Sequence, residues 1–255
     1  MTPLASAPAS LYIHIPFCVS LCPYCDFVVY AGAAARGPKA RLDAFLEALH
    51  VELDLRADAL DAAFGRRRPA LATVYLGGGT PSLLGASAVR SLLDQVRARF
   101  RLGRNAEVTI EANPGPEERG DAQALRMAGI NRISLGAQAM STAGLRRLGR
   151  RHRVADVGEA VRAARDGGIA SISLDLLYDA PDASLTDWID TLDAAMDLAP
   201  DHLSLYALTL DDPDAEGLTG PGGDHLPTTA GARRWRDTAR PRQDEDRAAA
   251  QYHHA

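Results

Sequence analysis

Short apolar runs alternate with longer segments of helical spacing along most of this chain. The runs are LYIHIPF from Leu11, TVYLGGG from Thr73, EVTIEAN from Glu107, RISLGAQ from Arg132, SISLDLLY from Ser171 and HLSLYALTL from His202. Each is short and nearly continuous in apolar character, the pattern of parallel strands covered on both faces. The intervening segments carry apolar stripes. Leu42, Phe45, Leu46, Leu49 and Leu53 fall at i, i+3, i+4, i+7 and i+11, and Leu185, Trp188, Ile189, Leu192 and Met196 repeat that spacing. Ser184 stands where an N-cap belongs. GPEERGDAQALRMAGI, from Gly115, has acidic residues early and a glycine late, as a helix does.

Six strand–helix alternations predict an α/β fold with a parallel sheet and right-handed crossovers, either an open doubly wound sheet or an incomplete barrel. Both architectures place function at the C-terminal ends of the strands. The unusual residues of this chain fall there. Three cysteines follow the first strand, GGGTPS ends the second, and Glu111 and Asn113 end the third. Gln138 ends the fourth, Asp175 lies in the fifth, and Ala207 lies near the end of the sixth.

The flanks differ. Residues 1–10, MTPLASAPAS, have neither the basic flank nor the apolar core of a secretory signal and read as a frayed leader. After Leu210 the chain is rich in Gly, Pro and Asp and has no period, so it reads as a long loop. RQDEDRAAAQYHHA, from Arg242, begins a helix with nothing predicted to pack against. Residues 211–255 therefore read as a loop and the start of a C-terminal domain that is cut short, leaving 11–210 as the core.

Composition narrows the chemistry. The chain has 255 residues and a net charge of −5, which gives no general attraction to nucleic acid. Basic clusters occur at Arg66 to Arg68 and Arg146 to Arg153, and the first reads as a solvated helix face or loop. No apolar run is long enough for a transmembrane segment. Cys18, Cys22 and Cys25 are the only cysteines, and an odd count argues against a disulfide framework. A cytoplasmic location is the expectation, and clustered thiols there suggest a metal or redox chemistry. Structural zinc wants four ligands, and His14, the nearest histidine, lies inside the first run rather than at finger spacing. A [4Fe–4S] cluster usually has four thiolates. Three would leave one iron open to a small molecule.

The C-x3-C-x2-C spacing of Cys18, Cys22 and Cys25, with Tyr24 before the third cysteine, resembles radical S-adenosylmethionine (SAM) enzymes. YIHIPFC leads into it, GGGTPS, IEANP, SLGAQ, LGRRH and LDLLYDAP follow in order, and together they resemble the branch that holds oxygen-independent coproporphyrinogen III oxidase and its heme-chaperone relative. The resemblance runs from about Leu11 to Leu210. It implies a partial (β/α)6 TIM-like barrel, with a [4Fe–4S] cluster on the three cysteines and SAM on the open iron. SAM is then cleaved by one electron to a 5′-deoxyadenosyl radical. It implies SAM contacts from Tyr12, Tyr24, Gly79, Thr80, Pro81, Glu111 and Ala207, and from Arg150 or Arg151, while Gln138 and Asp175 match residues that bind a second SAM in the oxidase. Heme or a porphyrin, an electron donor and a client hemoprotein are the implied partners. The oxidase carries a further cysteine two residues after the third ligand, where this chain has Phe27, and a longer N-terminal segment. Both differences favour the chaperone, with the oxidase as the alternative.

Overall fold

The computed structural model describes residues 6–25, 27–32, 41–210 and 230–255. All six predicted runs form strands of one parallel sheet. They are β1 (Ser10–Ile15), β4 (Leu71–Gly78), β5 (Leu102–Ala112), β6 (Arg132–Gln138), β7 (Ser171–Tyr178) and β8 (His202–Ala207). A small parallel pair, β2 (Phe17–Cys18) and β3 (Tyr30–Ala31), flanks the cysteine loop. The main sheet runs β1-β4-β5-β6-β7-β8, so each crossover adds its strand on the same side. That winding gives a (β/α)6 barrel, left open because β1 and β8 do not pair.

The helices α1 (Leu42–Phe64), α2 (Gly85–Phe100), α3 (Ala122–Ala128), α4 (Thr142–Arg147), α5 (Val154–Asp166) and α6 (Leu185–Met196) fill the crossovers. The core packs helices against one face of the sheet, where Ile15, Leu76, Ile110, Ile172, Leu174 and Leu176 are fully buried. The predicted stripe of α1 faces this core, with Leu53 buried and Leu42, Phe45, Leu46 and Leu49 packed against it. In α6, Trp188 is buried, but Met196 is largely exposed and Thr191 and Ala195 take its place inside. Ser184 caps this helix as expected, accepting from the Asp187 N–H at 3.0 Å.

Several expectations are corrected. The strands are not apolar on both faces. Their inner face carries Tyr12, Tyr75, Thr109, Glu111, Ser134, Ser173, Asp175 and Ser204, because an open barrel has an interior that is a cavity rather than a core. The helix expected over Gly115–Ile130 covers only Ala122–Ala128. It is capped by the Asp121 carboxylate on Ala124 N and ended by the left-handed Gly129. Arg68 is not solvated: it is buried, paired with Asp61, and donates to the Arg99 carbonyl at 2.7 Å.

At the flanks, β1 starts at Ser10 and the Ala9 carbonyl accepts from Ala72 N at 2.7 Å, both inside the stretch expected to be a leader. Its first five residues, and positions 211–229 of the expected loop, lie outside the described residues. Residues expected to continue that loop form α7 (Ala230–Ala239). The last helix, α8 (Glu245–His254), does have a partner. The buried Gln251 accepts from Asp179 N and donates to the carbonyls of Ala183 and Ser184, while Trp188 Nε1 donates to the Gln251 carbonyl at 2.9 Å. This docking is polar, so it left no apolar stripe to read.

Candidate functional site

The C-terminal strand ends and the cysteine loop enclose a cavity of about 360 Å³. Every candidate site residue borders it except Tyr12, Pro81 and Arg151. Tyr12 lies on the inner face of the edge strand, donates to or accepts from His14 Nδ1 at 3.1 Å, and stacks on Tyr75. Pro81 is buried at the start of a short 3-10 turn. Arg151 is exposed, whereas Arg150 reaches the cavity, which separates the two arginines that the sequence left equivalent.

Arg150 organises one wall. Its Nη1 donates to Cys22 Sγ at 3.1 Å and to Tyr24 Oη at 3.5 Å. Its Nη2 donates to Asn113 Oδ1 at 2.5 Å and to the Gly136 carbonyl at 3.0 Å. One guanidinium thus ties the cysteine loop to the ends of β5 and β6. Burial works against its charge, but Tyr24 and Cys22 beside it reverse the effect and hold it cationic. Asn113, which the sequence placed at a strand end without a role, also donates to Thr80 Oγ1 at 3.1 Å and to Glu118 at 2.6 Å.

The glycine turn continues this wall. Gly79 N donates to the Ile15 carbonyl and Thr80 N to the Phe17 carbonyl, so the turn runs beside the chain entering the cysteine loop. A Cβ on Gly79 would lie 2.6 Å from the Phe17 carbonyl oxygen. Gly78 sits at φ +115 with no room for a Cβ against the His14 ring. The Thr80 hydroxyl points at Cys18 Sγ, 3.7 Å away. Burial pushes the Cys18 thiol up to about 11, against the partial offset of this contact. Burial likewise raises Tyr24.

Two carboxylates face the cavity. Glu111 accepts from the Tyr75 hydroxyl and from Gly78 N, both at 2.8 Å, and Asp175 accepts from the Ser134 hydroxyl at 2.9 Å. Burial raises both from their ordinary values, and these hydrogen bonds only partly offset it. Gln138 adopts φ +66 after a register shift in β6, which brings its amide over Gly136.

The donor set fits a cluster and SAM. Three thiols share one stretch of chain and supply three of the four thiolates a cubane usually takes. Among the described residues no three His, Cys, Asp or Glu side chains converge as ligands of a single ion do. His14 Nε2 is bonded to the Val28 carbonyl at 2.8 Å, so it makes no fourth zinc ligand. Arg150 Nε is buried without a partner, and a carboxylate would satisfy it. Glu111 and Asp175 suit a ligand that brings positive charge and hydroxyls. SAM carries a carboxylate, an ammonium, a sulfonium and ribose hydroxyls.

Comparison with known proteins agrees. The chain is 43% identical over 204 residues to the heme chaperone HemW of Escherichia coli K12, covering 80% of this chain and 51% of that one. It is 40% identical over 211 residues to HemW of Mycobacterium tuberculosis, covering 83% and 52%. It spans about half the length of the curated relatives it matches. Among solved structures, coproporphyrinogen III oxidase (HemN) from E. coli superposes with a TM-score of 0.77 at 27% identity, over 99% of this chain and 52% of that one. Among the described residues no helix is long and apolar enough to cross a membrane. Residues 12–195 match the model of the radical SAM superfamily, so the chain belongs to that superfamily, whose cofactors are a [4Fe–4S] cluster and SAM.

Proposed function

We propose that this chain is the radical SAM core, residues 11–210, of a cytoplasmic heme chaperone resembling HemW, with 211–255 leading into a further domain. Cys18, Cys22 and Cys25 hold the cluster. Thr80, Glu111, Gln138, Arg150, Asp175 and Ala207 line the SAM cavity, with Glu111 and Asp175 taking its cationic and hydroxyl groups and Arg150 its carboxylate. The chemistry supplied when both cofactors are bound is reductive cleavage of the SAM sulfonium. The chain's own part is to orient and to exclude water. Heme is the cargo, an electron donor reduces the site, and a client hemoprotein receives the heme.

The single observation that carries this reading is the convergence of three thiols, Arg150 and two buried carboxylates on one cavity. Phe27, exposed at that cavity's rim, supports chaperone over oxidase because the oxidase has a cysteine there. The identity to HemW proteins, against 27% to the oxidase, points the same way. The oxidase reading keeps one argument, the fold superposition over nearly the whole chain. Anaerobic incubation with coproporphyrinogen III, reductant and SAM separates them. Stoichiometric heme binding with no protoporphyrinogen formed supports the chaperone. Formation of protoporphyrinogen supports the oxidase.

A further inference from the structure

Helix α7 lies against the cysteine loop, far from it in sequence. Arg236 donates from Nε to the Pro23 carbonyl at 3.3 Å and from Nη2 to the Cys25 carbonyl at 2.9 Å. The preceding residue, Trp235, donates Nε1–H to the Arg147 carbonyl at 3.0 Å and sets its ring 6.3 Å from that of Tyr24. The loop is held from a second side as well. Gly149 sits at φ +63, and a Cβ there would lie 2.8 Å from Pro23 Cδ. Within the loop, Cys25 N–H closes a turn onto the Cys22 carbonyl at 3.1 Å. Pro23 to Cys25 are therefore gripped between α7 and the turn that follows α4.

The two bonds from Arg236 end on backbone carbonyls. None of them goes to a sulfur, and Arg236 does not border the cavity. Its part is to fix the loop and to put a positive charge beside the third cysteine. Charge and hydrogen bonding around a cluster set its reduction potential. A rigid two-toothed donor is also what an arginine offers and a lysine does not.

We propose that α7 is a latch on the cysteine loop, with Arg236 as a positioning residue that holds Pro23 and Cys25 for the cluster and makes the cluster easier to reduce. The electrostatic part rests on the cluster reading given above, whereas the mechanical part does not.

The test uses the full chain as wild type, Arg236→Gln and Arg236→Lys. Hydrogen exchange in the cluster-free protein reads the loop directly. Loss of the charge-assisted pair in Arg236→Gln is expected to speed exchange at the Cys25 amide by about ten-fold. After anaerobic reconstitution, the midpoint potential is expected to become more negative in Arg236→Gln and to lie between the two in Arg236→Lys, which keeps the charge. A merely structural role would not order the potentials by charge. Should Arg236→Gln fail to fold, Trp235→Phe loosens the same helix by removing its bond to Arg147 and is expected to speed the same amide. Wild-type exchange in all variants overturns the latch, and potentials indifferent to charge overturn the electrostatic part. A wild-type chain that takes up no cluster contradicts the cluster reading, while exchange in the cluster-free protein still decides the latch.

Discussion

Arg150 donates to Cys22 Sγ at 3.1 Å across 128 positions of sequence. The same guanidinium holds Tyr24, Asn113 and the Gly136 carbonyl. Its removal leaves several buried polar groups unpartnered at once. Arg150→Met is expected to cost about 3 kcal/mol in urea unfolding and to lower iron bound per chain after reconstitution. Arg150→Lys keeps the charge without the fork and is expected to fall between.

Gly79 and Gly85 separate two reasons for a glycine. A methyl on Gly79 meets the Phe17 carbonyl, so Gly79→Ala must displace β2 and the entry to the cysteine loop. A loss of about 2 kcal/mol or more and poorer cluster loading are expected. Gly85 has φ +75 and ψ 158 and nothing within 4 Å of a Cβ, so Gly85→Ala meets only backbone strain, about 1–3 kcal/mol, with normal loading. Denaturant midpoints measure both losses, and iron content distinguishes the two.

His152 gives the fold an acid limit. Burial, and then Arg150, push its pKa down to about 4, and its Nε2 meets the Ala137 carbonyl at 3.2 Å. The unfolded chain protonates near 6.5, so below that pH the unfolded state binds more protons and stability falls. The loss is full once pH passes below about 4 and amounts to roughly 3 kcal/mol at ~1.4 kcal/mol per pH unit. Denaturant titrations between pH 7 and 4 should show this slope in wild type and a flatter one in His152→Gln, whose amide can still donate to Ala137.

Gln251 docks the last helix. Gln251→Ala removes its bonds to Asp179, Ala183 and Ser184, at an expected cost of about 2 kcal/mol. Limited proteolysis should then cut within residues 245–254 before the barrel. Tyr252→Ala, on an exposed neighbour, is expected to change stability by less than about 0.5 kcal/mol.

The parts of this molecule legible in its sequence are those written in apolar spacing or in rare residue types. The stripe from Leu42 to Leu53, the cap at Ser184, the six strands and the three cysteines belong to that class. So does the placement of Glu111, Gln138 and Asp175 at the strand ends. The illegible parts are carried by polar side chains doing packing work. Gln251 docks α8 without an apolar stripe, and Arg236 bonds carbonyls that no spacing rule links to it. Ala232 and Ala239, buried apolar positions of α7 among the described residues, are too small to raise a periodic signal among its arginines. The polar inner face of the barrel was masked because Tyr12, Tyr75 and the alternating small residues read as a continuous apolar run. The contacts that a Cβ on Gly78 or Gly79 would meet, the His14 ring and the Phe17 backbone, join residues more than sixty positions apart that no spacing rule links.

The central claim is that three thiols hold a cluster with one iron left for SAM. Anaerobic reconstitution with iron and sulfide, followed by EPR of the reduced protein with and without SAM, tests it most directly. The expected result is a [4Fe–4S]⁺ signal that shifts when SAM is added and is lost when Cys18, Cys22 or Cys25 is replaced by alanine. A chain that builds no cluster, or one whose signal ignores SAM, would contradict it.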